Sequence, residues 1–390
     1  MQIQKIYIGG WFQRTTLHLT EIWDFLKHLK STAGFDQAAL KEARDRLDVV
    51  SASRKTAGLE YILVETSVGI TYRIYEDGLI ILEKPFADLE SDFERIRFYY
   101  EEKLSKSLSL LFSKGAPVPK ELANIKTILP YIVTVRDGVD EEIKALYNKL
   151  GEEIYSTISS KQVDVYRSSG LIIINDLLDE ELAREVIESQ IFFREFKTQL
   201  HRYLAIHRIL WEKIAAIKEK GSIKGTDVDD LRGELTDYQK TIELIDARIN
   251  QMDAYIKTRQ KITDVEKVDA YLNPLFQFKF ETLQDTHEYI KYLWDMTSDY
   301  LDSAIEIFKE LQEKSTKNSI SSLQLITTIG VVAGILTYLG KTALPTFTQI
   351  GLLYFVLLLV MTYILNSVIS KIYKRKKYKI KGANIVKDIQ

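Results

Sequence analysis

A row of side chains near the C-terminus has the spacing to line a pore. Asn318, Ser321, Gln324, Thr328, Val332 and Ile335 follow one another at intervals of three or four, so they share one face of a helix. That face is hydrophilic at its start and apolar further on, which fits a wall that gates by dewetting. The same pattern also serves as polar contact between packed helices. Upstream, Asp295, Asp299, Asp302, Glu306 and Glu310 recur at helical spacing. Of these, Asp295, Asp299 and Asp302 offer hard oxygen ligands of the kind that suit Mg2+, and no other cofactor is indicated. A solvated charged helix face has the same composition. A third group lies at the N-terminus, where Gly9 and Gly10 end a strand pattern and Arg14, Thr15 and Thr16 follow. Strand, glycines and a helix that opens with hydroxyls can hold a phosphate on free backbone N–H groups. There is no Walker pattern and no third glycine at dinucleotide spacing, so a tight turn accounts for the same residues.

Chemistry of other kinds is poorly represented. The histidines, His18, His28, His201, His207 and His287, are scattered, none pair at metal spacing, and no His-Glu-x-x-His occurs. No nucleophile motif is present, and the expectation is a protein that is not an enzyme. The absence of cysteine excludes disulfides and thiolate metal sites. Residues 370–390 hold eight basic side chains and one acid, a balance of +7, so the rest of the chain carries −9 to give the total of −2. An acidic body argues against non-specific nucleic-acid binding.

These groups require long helices to position them. Two apolar runs, 323–339 and 350–369, flank a loop with Pro345. The second run has no charge and is about as long as the roughly 20 residues a bilayer requires. The first carries Gln324, Thr327, Thr328 and Thr337. Read together they predict a transmembrane hairpin, hence a multi-pass protein of the cell membrane. Lys371, Lys374, Arg375, Lys376, Lys377, Lys379 and Lys381 follow the second run, which puts both termini in the cytoplasm. Gly330 and Gly334 have the spacing that lets helices approach closely.

The remainder predicts an α+β cytoplasmic domain over 1–178, a long-helix stalk over 179–320, spans within 321–370 and a basic tail over 371–390. Strands are expected at 2–8, 59–65, 69–75, 78–83 and 128–135, with a hairpin at 162–166 and 171–175. Helices are expected at 18–30, 37–52, 88–111 and 138–158, then at 179–220, 229–263 and from Pro274 onward. In the last, Leu283, Ile290, Thr297, Ala304 and Leu311 fall seven apart, with Thr286, Leu293, Tyr300 and Ile307 three later. Such a seam calls for packing against other helices, from the same chain or from copies of it.

The layout resembles the CorA-like magnesium transporters: a cytoplasmic α/β domain, long coiled helices, two C-terminal spans and a basic end. The local match is 318–339 with 350–377, where the family has an Asn-headed pore helix, here Asn318, and ends in lysine and arginine. The resemblance implies a homopentameric ion channel or transporter whose first spans line the pore and whose cytoplasmic domain regulates it. One departure is large. Where the family has Tyr-Gly-Met-Asn, this chain has Thr337-Tyr338-Leu339-Gly340-Lys341-Thr342-Ala343. Tyr338, Gly340 and Lys341 would form the outer mouth, and a ring of lysines there excludes cations. The chain is thus a divergent member without the Gly-Met-Asn signature, its cation selectivity open. CorA-like proteins of that kind also occur as effectors, including beside type III CRISPR systems. The alternative expectation is therefore a ligand-gated membrane effector that senses a small, nucleotide-derived molecule at Gly9, Gly10, Arg14, Thr15 and Thr16. A membrane-tethered scaffold is the third.

Overall fold

The computed structural model describes residues 1–12, 17–31, 34–56, 58–115, 130–159, 163–177, 179–265, 271, 274, 280–339 and 349–380. Its residues group into two compact units, Met1–Leu204 with Leu244–Tyr292, and Ala205–Glu243 with Leu293–Gln390.

The first unit is built on a nine-stranded mixed sheet of order β2-β3-β4-β5-β1-β6-β9-β8-β7. At its centre, β1 (Gln2–Trp11) pairs antiparallel with β5 (Leu79–Pro85) and with β6 (Tyr131–Arg136). The strands β2 (Val49–Lys55), β3 (Tyr61–Thr66) and β4 (Thr71–Tyr75) extend one wing as an antiparallel meander. On the other side β6 runs parallel to β9 (Leu171–Asn175), followed by β8 (Asp164–Arg167) and β7 (Ser156–Ser159). The predicted hairpin forms between Asp164–Arg167 and Leu171–Asn175, while Gln162, its expected start, lies outside the described residues.

Both faces of the central strands are covered, which is why β9 reads Leu-Ile-Ile-Ile and is buried throughout. One face carries α1 (Leu19–His28), α2 (Gln37–Asp45), α3 (Leu89–Phe98), α4 (Ser105–Gly115) and α5 (Asp140–Lys149), whose Phe25, Leu40, Ile96, Leu108 and Ile143 join Ile6, Ile8, Ile62, Tyr72, Ile80 and Val133 in one core. Between α3 and α4 the chain makes a π-helical segment, Tyr99–Leu104, which buries Tyr99, Tyr100 and Leu104. The opposite face packs on the first part of α6 (Glu180–Lys218): Trp11 lies 5.4 Å from Phe196, and Gly9 sits under Ile191.

Two expectations change here. The helix predicted over 37–52 stops at Asp45, and 49–55 is strand β2, an edge strand with no fully buried residue. The helix predicted over 138–158 ends at Lys149, because Gly151 adopts φ +69° and turns the chain into β7.

The second unit holds the remaining parts of α6, α7 (Val228–Val265) and α8 (Phe280–Leu339), together with α9 (Gln349–Arg375). Trp211 of α6 stacks on Tyr300 of α8 at 4.5 Å, and Lys218 Nζ lies 4.0 Å above the same ring. Gln312 of α8 donates to Asp229 of α7 at 2.9 Å. The predicted heptad seam is occupied inside this chain: Leu283, Ile290, Thr297, Ala304 and Leu311 are all buried. After α9 the basic segment is not all tail, since β11 (Lys377–Lys379) pairs antiparallel with β10 (Ser222–Lys224).

Among the described residues, no helix is long and apolar enough to cross a membrane. That finding overturns the transmembrane hairpin within 321–370, and with it the multi-pass cell-membrane location. The physical reason lies in the side chains. The C-terminal part of α8 carries Gln324, Thr327 and Thr328, and it continues a 60-residue helix whose earlier turns are charged. The described side chains of α9 do not form an apolar stretch of the roughly 20 residues a bilayer needs. The loop between the two runs, 340–348, lies outside the described residues.

Candidate anion-binding cleft

The residues singled out from the sequence fall in both units, and several lie outside the described residues. Gly9 and Gly10 do not end β1; they lie inside it, paired with Ile81 and Ile80. A Cβ on Gly9 would meet Ile80 O at 2.6 Å and Ile191 Cγ2 at 2.9 Å, so Gly9 is there for close packing. Arg14, Thr15 and Thr16 lie outside the described residues. Asp295, Asp299 and Asp302 are exposed on α8, Asp302 accepts from Gln239 at 3.3 Å, and no metal-holding group of three His, Cys, Asp or Glu occurs among the described residues. Asn318 is half-buried, and Ser321, Gln324, Thr328, Val332 and Ile335 are exposed along α8. Thr328 donates to Gln324 O at 2.8 Å, satisfying its hydroxyl within its own helix. Tyr338 belongs to the end of α8, while Gly340 and Lys341 lie outside the described residues.

A different site emerges in the first unit. α6 presents Gln190, Phe193, Arg194, Lys197, Thr198 and His201 at intervals of three and four, one helical face. Facing them are Pro130 at the entry to β6, Tyr155, Arg167 at the end of β8, Ile172 of β9, and Thr282, Leu283 and Thr286 of α8. Together they enclose a cleft of about 530 Å³. Its size falls in the range of small-molecule sites. Its lining includes Arg167, Arg194, Lys197 and His201 and, among the described residues, no carboxylate.

Local structure fixes several of these groups. Arg194 is clamped: Nε donates to Glu195 Oε1 at 2.9 Å, Nη1 to Pro130 O at 2.9 Å and Nη2 to Gly9 O at 3.0 Å. Three of the five guanidinium donors are thereby used, and the charge is held in place. Phe193 stands edge-on to Phe280, ring centres 4.5 Å apart, which steadies the apolar wall. The backbone N–H of Tyr155 donates to Arg167 O at 3.0 Å and ties the lip to β8. Burial lowers the Arg167 pKa below the ordinary guanidinium value, against the pull of Tyr155. A cation in that position gains from any anion that comes near it. Gln190 is 5 % exposed, and its side-chain carbonyl is buried without a hydrogen-bond partner among the described residues. Turning the amide would present N–H groups to a ligand instead.

Sequence reasoning passed over this cleft. Its basic residues lie on α6 and at the end of β8, and only the parallel pairing of β6 with β9 sets those strands beside α6. One signal was present: Gln190, Arg194, Lys197 and His201 recur at helical spacing, with Glu195 as the acid among them.

No family model matches this chain, and no curated protein matches it. These comparisons add nothing to the CorA-like resemblance, which rested on architecture.

Proposed function

We propose that this protein is a regulatory binding protein for a small, multiply charged anion such as a phosphate-bearing metabolite. The observation that carries the reading is the cleft lined by Arg167, Arg194, Lys197 and His201 without an opposing carboxylate. Arg167 and Arg194 are half-buried there and Lys197 is exposed, and positive charge gathered on a concave wall attracts an anion. Catalysis is the weaker reading. The lining has no acid to serve as a general base, and Thr198 and Thr286 donate their hydroxyl protons to the carbonyls of Arg194 and Thr282. The channel expectation depended on the two spans and is not carried forward. Equilibrium dialysis of the full chain against radiolabelled inorganic pyrophosphate tests the reading. Saturable one-to-one binding that Arg167→Gln weakens at least about tenfold supports it; absence of binding, or binding indifferent to Arg167, overturns it.

A second observation supports self-association. Ile320, Leu323, Val331, Val332 and Ile335 of α8, and Leu353, Val356, Leu357, Val360, Ile364 and Val368 of α9, are exposed in the single chain. Apolar surface of that extent is covered by something other than water. We propose copies of the same chain as the cover. Sedimentation equilibrium across a concentration series should show an oligomer. A monomer overturns the proposal, as does partition of the chain onto lipid vesicles in place of oligomer formation.

A further inference from the structure

We infer that Glu195 sets the anion affinity of the cleft: its buried carboxylate backs Arg194, and neutralising that carboxylate tightens anion binding. The inference rests on reading the cleft as an anion site. Arg194 lines the cleft and Glu195 does not, yet the two are joined by a bond of 2.9 Å. The carbonyls of Pro130 and Gly9 hold the other two guanidinium nitrogens, so Arg194 cannot swing away from its acid. Glu195 is 6 % exposed, so water does little to screen its charge. An anion in the cleft therefore meets Arg194 with much of its charge offset from behind.

The groups that face Glu195 define its response. Arg194 and Arg202 come from α6, and Tyr100 comes from the π-helical segment. Tyr100 is fully buried, and burial with the nearby Glu195 charge raises its pKa well above that of an ordinary phenol, so it stays neutral. Burial pushes the Glu195 carboxyl up to about 7, against the opposing pull of Arg194 and Arg202. An acid with a raised pKa takes up its proton as the pH falls through that value. Below it Arg194 acts at full charge and the anion binds more tightly; above it Glu195 is ionised and affinity falls. By reciprocity, a bound anion favours the protonated carboxyl, so binding near neutral pH draws in a proton. The cleft would thereby report pH and anion concentration together.

Sulfate is the probe, because it remains a dianion across the range. Calorimetric titration of the full chain at about pH 6 and about pH 8.5 should give roughly tenfold tighter binding at the lower pH. Repeating it near pH 7 in buffers of different ionisation enthalpy should show proton uptake. Glu195→Gln should bind sulfate at both pH values as tightly as wild type does at the lower one. Wild type that binds sulfate without proton uptake overturns the inference, and this arm requires no variant. A pH dependence that survives in Glu195→Gln and disappears in His201→Gln assigns the effect to the imidazole and also overturns it. If sulfate binds neither protein at either pH, the anion-site reading itself fails.

Discussion

Arg259 and Asp77 are 182 residues apart in the chain and meet in a closed, two-pronged ion pair. Nε donates to Asp77 Oδ2 at 2.6 Å and Nη2 to Asp77 Oδ1 at 3.1 Å, with the two side chains 3 % and 2 % exposed. The same guanidinium lies 3.7 Å from Glu188 and 4.8 Å above the Tyr75 ring. The turn between β4 and β5, α6 and α7 are thus joined through one cation. Removing it leaves two buried carboxylates facing each other. Arg259→Met should cost about 3–5 kcal/mol of stability, measured by urea denaturation. A loss under about 1 kcal/mol would show that the pair is not closed in solution.

Glu188 gives this network a pH dependence. Burial raises its pKa to about 7, helped by Glu185 and opposed by Arg259, and Tyr75 donates its hydroxyl to the same carboxyl. The folded-state value lies above the unfolded one, so the folded chain holds a proton that the unfolded chain releases. The stabilisation is present in full at pH below the ordinary glutamate range and is lost as the pH rises to about 7. Glu195 acts in the same direction over the same window. Melting temperature should fall between about pH 5 and about pH 8, and Glu188→Gln should flatten part of that slope. A variant with the unchanged wild-type slope would remove Glu188 from the account.

Turn geometry yields the third expectation. Gly78 closes the β4–β5 hairpin at φ +89°, and a Cβ there would sit 1.6 Å from Phe12 O. The backbone of Phe12 also donates to Gly78 O at 3.0 Å, so the two segments cannot separate without losing that bond. Gly78→Ala should destabilise by about 2–4 kcal/mol, combining left-handed strain with displacement of the β1 end. Gly69→Ala, where φ is +74° but no atom lies within 4 Å, isolates the strain alone and should cost less. Chemical denaturation of both variants separates the two contributions.

How much of this the sequence disclosed depended on the range of the interaction. The hairpin at 76–78 was readable from Glu76-Asp77-Gly78, because turn chemistry is local. The long helices were readable from their periodicity, and α6 and α7 fall within a few residues of the expected bounds. The failures are contacts between distant segments. The glycine pair looked like a turn because Ile191, more than 180 positions away, was not in view. The strands β10 and β11 are three residues each and exist only through pairing over some 150 positions. The apolar runs of α8 and α9 were read as spans from composition alone, and composition cannot say what covers a helix. Nor could the spacing of Gln190, Arg194, Lys197 and His201 say what wall would face them.

That facing wall gives the last expectation. Lys197 is exposed at the cleft, and no carboxylate lies within ion-pair distance of its ammonium among the described residues. Its charge is therefore available to a ligand, but water and salt screen it more than they screen Arg167. Lys197→Gln should weaken sulfate binding several-fold at low ionic strength and much less at about 0.5 M salt, where the Debye length has shrunk to a few ångströms. Arg167→Gln should weaken it at both, since burial shields that guanidinium from the salt. Lys197→Glu places a negative charge at the entrance and should abolish measurable binding at low salt. These substitutions lie on exposed or half-exposed positions, so folding can be checked by circular dichroism before the titration. If Lys197→Glu leaves the affinity unchanged while Arg167→Gln removes it, the anion sits deeper than Lys197 reaches. Indifference to both would place any bound anion outside this cleft.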